Sequence, residues 1–174
     1  MEMDEVTIRE AHRAVFSMRD VLSAPFCDES WKIVLMPGDL LPWPEDFEAL
    51  TTAAKLVGDT NFIVVDGESD PPIAPPLIAA WDYEEFADAV WRSLLSHKCT
   101  HIFGLSCEWG RAAWHDINIV GGNQTFMDCL IEASGGEAAM ITRIKEAVAS
   151  GYVAPPGAGL EEFVERLIQM VGWA

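Results

Sequence analysis

Apolar residues recur in this chain with two periods that take turns along it, and that alternation restricts the fold. Ile8, Ala11, Val15, Met18 and Leu22 follow at steps of three and four, which stacks them on one helix face until Pro25 stops it. Trp31–Met36 is then a short apolar-rich run suited to a buried strand, closed by Pro37-Gly38. Helical spacing returns at Phe47, Leu50, Ala54 and Val57, opened by Pro44, a favoured first-turn residue, and stopped by Gly58. Asn61–Asp66 reads as a second strand, and the proline-rich stretch Asp66–Pro76 as a loop.

The second half repeats the pattern. Asp82 with Glu85 three residues on forms a capping-box signature for a helix carrying Phe86, Val90 and Leu94. Thr100–Cys107 is a third strand, and Arg111–Val120 alternates as a fourth, joined to it through Glu108-Trp109-Gly110 as a hairpin. Gly121-Gly122 closes that strand, and Asn123 caps a helix with Phe126, Met127, Leu130 and Ile131. Ile141, Ile144 and Val148 mark another helix. Leu160, Phe163, Leu167 and Val171 mark a last one beyond the flexible link Pro155–Gly159. The expected fold is α/β: a mixed sheet of about four or five strands flanked by helices. Helices between the first three strands favour parallel crossovers. The expectation is one domain over 1–174, with a semi-independent helical segment at 136–174.

Charge narrows the function classes. The 174 residues hold 28 acids and 11 bases, for a net −17. Half the residues are hydrophobic, which supplies a core and excludes a disordered acidic tail. The sign argues against gripping nucleic-acid phosphates or anionic membranes directly. Between Pro37 and Val90 stand twelve acids (Asp39, Glu45, Asp46, Glu48, Asp59, Asp66, Glu68, Asp70, Asp82, Glu84, Glu85 and Asp88) against Lys55 alone, a local −11. Acids at helix starts complement the macrodipole and keep a protein soluble. Clustered, they also steer a basic partner into place. Trp43, between two prolines just before the acidic helix, and Trp109, at the expected hairpin tip, are candidate anchors for such a partner. Their ordinary alternatives are a local staple on Phe47 and cover for a sheet edge.

Four constellations invite chemistry, each beside a plainer reading. His97, Cys99 and His101 alternate, so on a strand they would share a face as zinc ligands; the spacing fits no common zinc pattern, and Cys99 is equally a core thiol. Asp66, Glu68 and Asp70 follow a strand and could hold a hard cation, although Gly67 and Pro71-Pro72 describe a solvated turn. Cys107, His115 and Asp116 could form a nucleophilic set, with Arg111 the only local cation to lower the thiol pKa. Gly121-Gly122-Asn123 could bind an anion at a helix start, but it lacks the lysine of a phosphate loop and reads as a turn and cap.

A resemblance rests on Thr100–Leu130. A strand ending Ser106-Cys107 meets Glu108-Trp109-Gly110 at a turn; a strand ending Ile119-Val120-Gly121-Gly122 follows, and then a helix with Phe126-Met127. This pattern resembles small bacterial immunity proteins of polymorphic toxin systems. The resemblance implies a cytosolic protein that binds and neutralises one cognate toxin without catalysis, and it assigns no binding residue.

The expected function is therefore a non-enzymatic acidic protein that occludes the active site of a basic effector or toxin. Its partner-binding residues would be Asp39, Trp43, Glu45, Asp46, Glu48, Asp66, Glu68, Asp70, Glu84, Glu85 and Trp109. Two alternatives stand beside it: a nucleic-acid-mimicking inhibitor of a DNA- or RNA-handling complex, and a metal-dependent enzyme using the Asp66 or His97 group. No cofactor or metal is expected. Met1–Glu10 holds four acids and one arginine, unlike a secretory signal, and the longest apolar run, Ile73–Trp81, carries two prolines; a cytoplasmic location with reduced cysteines is expected.

Overall fold

A computed structural model describes residues 5–17, 24–38, 41–69, 74–97, 99–114, 116–152, 165, 168, 169, 171 and 172. Its elements run α1 (Glu5–Val15), β1 (Lys32–Pro37), α2 (Pro44–Leu56), β2 (Phe62–Asp66), β3 (Leu77–Ala79), α3 (Tyr83–Arg92), a 3-10 turn (Leu94–His97), β4 (Thr100–Phe103), β5 (Trp109–Trp114), β6 (Ile117–Gly122), α4 (Gln124–Ala133) and α5 (Glu137–Ala149). The segment 160–171, expected as a last helix, lies almost wholly outside the described residues.

The six strands form one open sheet in the order β1-β6-β5-β4-β2-β3, and every neighbouring pair is antiparallel. This corrects the expected mixed sheet with parallel crossovers. β1 and β2 do run in the same direction, but three other strands lie between them. The chain from β3 through α3 to β4 does join two parallel strands, with β2 sitting between them. The strand number rises to six for two reasons. Leu77–Ala79 pairs with β2 just after Pro75-Pro76. The single strand expected over Arg111–Val120 is two, folded so that Trp114 pairs with Ile117 and Arg111 with Val120.

Helices cover both faces. On one, α2, α3 and α4 bury Phe47, Leu50, Phe86, Val90, Phe126 and Leu130 against Val34, Val64, Ile102, Trp109 and Val120 of the sheet. On the other, α1 and α5 bury Ile8, Val15 and Ile144 against Leu35, Ile63, Phe103 and Ile119. Local signals explain the helix starts. Asp82 accepts from the Glu85 backbone N–H at 3.0 Å and Asn123 from that of Phe126 at 2.9 Å, each satisfying an otherwise orphaned donor. Pro44 opens α2 without a side-chain cap.

The residues that carry the family resemblance are packing devices in this fold. Gly110 and Gly121 face each other across β5 and β6, and side chains there would collide with Phe16 and Phe26, whose rings fill the space. On the opposite face Trp109 stacks on Phe126, with centroids 5.0 Å apart and planes 4° off parallel. Gly121 and Gly122 are the last two residues of β6, directly before the α4 cap Asn123, as expected.

Candidate functional site

Helix α2 packs against both α4 and α3, so these three form one layer outside the sheet. Its solvent side carries Glu45 and Glu48 from α2, Glu84, Glu85 and Asp88 from α3, and Asp128 and Glu132 from α4. Only Lys55 and Arg92 oppose these seven exposed acids among the described residues of the three helices, and Arg92 is tied to Asp88 at 2.9 Å. The opposite layer is balanced: α1 and α5 expose Glu5, Glu10 and Glu146 beside Arg9, Arg13 and Lys145. The two helical layers therefore differ in charge, and the acidic one includes α4, which lies outside the acid-rich sequence stretch.

Within the acidic layer, the starts of α2 and α3 converge. Tyr83 donates its hydroxyl to the Pro42 carbonyl at 3.3 Å and meets Phe47 edge-on at 5.3 Å. Burial raises the Tyr83 phenol above its ordinary value, and the carboxylates of Glu84 and Glu45, one from each helix, push the same way. Trp43, half-buried, packs edge-on against the exposed Tyr152 at 5.2 Å and against the core cluster beneath α1 and α5, on the other side of the sheet. An acidic rim beside the partly exposed Tyr83 results, a combination suited to cationic side chains.

Several expected contact residues are elsewhere. Asp46 is fully buried and accepts from Nη1 of Arg143 on α5 at 2.5 Å, because its position on α2 turns it inward. Burial pushes its carboxyl up to about 6, against the pull of that guanidinium. Asp66 is also fully buried; its Oδ1 accepts from the Glu68 backbone N–H at 2.9 Å. Trp109 is fully buried rather than at a tip: β5 begins at that residue, and its indole N–H donates to Asp59 at 2.8 Å. These three are corrected from contact residues to interior ones. Glu45, Glu48, Glu68, Glu84 and Glu85 are exposed. Asp39 and Asp70 lie outside the described residues.

Asp59 explains much of the Ser106–Trp109 sequence. It accepts from the Ser106 backbone N–H at 2.9 Å and hydroxyl at 2.8 Å, as well as from Trp109, and occupies space that a side chain on Gly104 would need. One carboxylate thus locks the loop before β2 to the loop before β5.

At the far end of the sheet Asp66 pairs with Thr100, and Arg111, in register with Ile102 and Val120, reaches along the same face towards Thr100 and Asn118; all four have almost no exposure. Arg111 donates to the Thr100 hydroxyl at 3.1 Å and to the Asn118 amide oxygen. Behind β4, His101 Nδ1 lies 2.9 Å from His12 Nε2, and its ring stacks on Phe16 at 4.0 Å. Burial, with the nearby His12 and Arg111, lowers the His101 imidazole to about 3. Among the described residues these polar side chains are almost wholly shielded from solvent, and His12 also lines the groove beside α1.

The chemical constellations do not assemble. Among the described residues no three His, Cys, Asp or Glu side chains converge to hold a metal. His101 turns to His12, and the His97 side chain lies outside the described set. Cys107 precedes β5 while Asp116 follows it, so they sit at opposite ends of one strand; His115 lies outside the described residues. Burial and the Asp59 charge raise the Cys107 thiol, the reverse of what a nucleophile needs. All four cysteines are free thiols. A shallow groove between α1 and the β2–β3 edge is lined by Ile8, Arg9, His12, Val65, Ala74 and Pro76.

Two features were missed in the sequence. Asp128 and Glu132 join the acidic layer through α4, and Trp91 with Leu94 is exposed at the end of α3. No described helix is long and apolar enough to cross a membrane. Comparison with protein-family models, with curated proteins and with solved structures gave no match.

Proposed function

We propose that this protein is a non-enzymatic, immunity-type inhibitor that binds a basic effector or toxin through the outer face of α2, α3 and α4 and occludes its active site. The difference in charge between the two helical layers carries this reading: seven exposed acids against two bases on one, three against three on the other. A fold needs no such difference for solubility, since charge spread over both layers would serve as well. Concentrated on one face, it accelerates encounter with a cationic surface and repels acidic competitors. The half-buried Tyr83 beside Glu45 and Glu84 supplies apolar area within that field.

The test is titration calorimetry against basic effector domains encoded beside this protein, with the effector's own activity as a second readout. The reading expects one partner bound tighter than about 1 μM, with affinity falling steeply as salt rises. No partner of that affinity among all basic neighbours would sink it.

A further inference from the structure

Helix α3 turns Phe86 and Val90 into the core, which leaves Trp91 one position past the buried stripe. Trp91 is 59% exposed and Leu94, in the turn that follows, 71%. Large apolar side chains this open leave area that a partner could remove from water. The same solvent side of α3 carries Glu84 and Asp88, at helical spacings of seven and three residues before Trp91. Helix α3 thus presents two carboxylates followed by an indole, and Leu94 stands exposed just past its extended C-cap residue, Ser93.

That order defines what fits. An acidic segment would be repelled by Glu84 and Glu85, with Asp88 partly offset by its pairing to Arg92, and a purely cationic one would leave Trp91 and Leu94 wet. A segment with lysine or arginine on one side and apolar residues on the next satisfies both ends. We infer that Trp91 and Leu94 form the apolar anchor of the partner interface, seating a basic amphipathic segment of the effector whose cations lie along Glu84, Glu85 and Asp88. This rests on the acidic-face reading above and adds to it the chemical class of the contacted segment. It also moves the anchor from Trp109, which is buried, to Trp91, which is not.

The experiment uses the full chain and a fluorescein-labelled amphipathic helical peptide of lysine and leucine, read by anisotropy. A lysine-serine peptide of equal charge is the control. Expected are binding of the lysine-leucine peptide, at least about tenfold weaker binding of the control, and at least about tenfold loss with Trp91→Ser/Leu94→Ser. Both positions are exposed, so that variant keeps the wild-type melting temperature, and Trp91→Phe retains binding. Equal affinity for the two peptides, no loss in the double variant, or no binding of either peptide overturns the proposal. So does a concentration-dependent dimer that Trp91→Ser/Leu94→Ser abolishes, since a second copy would then be the occupant. Glu45→Lys/Glu48→Lys separates the two readings. If it weakens binding of the cognate effector while Trp91→Ser/Leu94→Ser does not, the acidic face stands and the anchor falls.

Discussion

Replacing His101 by glutamine should change how this protein's stability depends on pH, by an amount that follows from its burial. The folded state holds the imidazole neutral down to about 3. In the unfolded chain the ring takes a proton near its ordinary value of about 6.5. Below that value the unfolded state binds the extra proton, so stability falls as pH drops from about 6.5 towards 3. By pH 5 the loss is about 2 kcal/mol relative to pH 7.5. Asp46 acts in the opposite sense. Its folded carboxyl, at about 6 against an ordinary 3.8, takes its proton first, so acidification adds about 1 kcal/mol by pH 5. Wild-type stability therefore falls by no more than about 1 kcal/mol over this range through these two groups. His101→Gln keeps a neutral polar group opposite His12 and removes the titration, while Asp46 and the general relief of charge repulsion remain. Urea unfolding followed by tryptophan fluorescence at pH 7.5 and 5 gives the difference between wild type and variant. That difference should shift by about 2 kcal/mol in favour of the variant at pH 5. Any constant cost from lost stacking on Phe16 cancels. Wild-type and variant curves that stay parallel to within about 0.5 kcal/mol would refute the reasoning.

Other outcomes test the architecture. Asp59→Ala should cost about 2–4 kcal/mol in urea unfolding, because it strands the buried Trp109 N–H and releases Ser106. Gly121→Ala should cost about 1–3 kcal/mol in the same assay, since its Cβ would meet the Phe26 ring at 2.5 Å. Arg143→Ala should cost about 3–5 kcal/mol by leaving the Asp46 carboxylate buried and unpaired; Asp46→Leu/Arg143→Met, which removes both charges, should recover most of it.

Much of the helical layout is legible in the residues. Asp82, Asn123 and Pro44 start helices where their chemistry places them, and the buried stripes of α2 and α4 follow the spacing of Phe47, Leu50, Phe126 and Leu130. Four strand runs are visible as well, but β3, the split between β5 and β6, and strand direction are not. A helix between two strands suggests a parallel neighbour, yet β1 pairs with β6 and β2 with β4 through contacts that no local period records. The turn between Trp114 and Ile117 lacks the Asn-Gly or Gly pair that marks a tight hairpin, so the alternation from Arg111 to Val120 reads as one strand. Asp46 illustrates the same limit for the surface. An acid in a first helical turn reads as solvated, and its partner Arg143 lies 97 residues away. Trp91 was open to the same periodicity argument that found Phe86 and Val90, because it falls off their stripe; its exposure follows from that offset.

The central claim is that one helical layer, and not the other, meets a basic effector. It is tested most directly by measuring effector affinity for two charge-reversed proteins: Glu45→Lys/Glu48→Lys/Glu85→Lys on the acidic layer, and Glu5→Lys/Glu10→Lys/Glu146→Lys on the balanced one. Both change net charge equally, so a general electrostatic effect alters both alike. The account predicts at least about a hundredfold loss for the first and less than about threefold for the second at moderate salt. Equal losses, or a larger loss from the α1 and α5 changes, would contradict it.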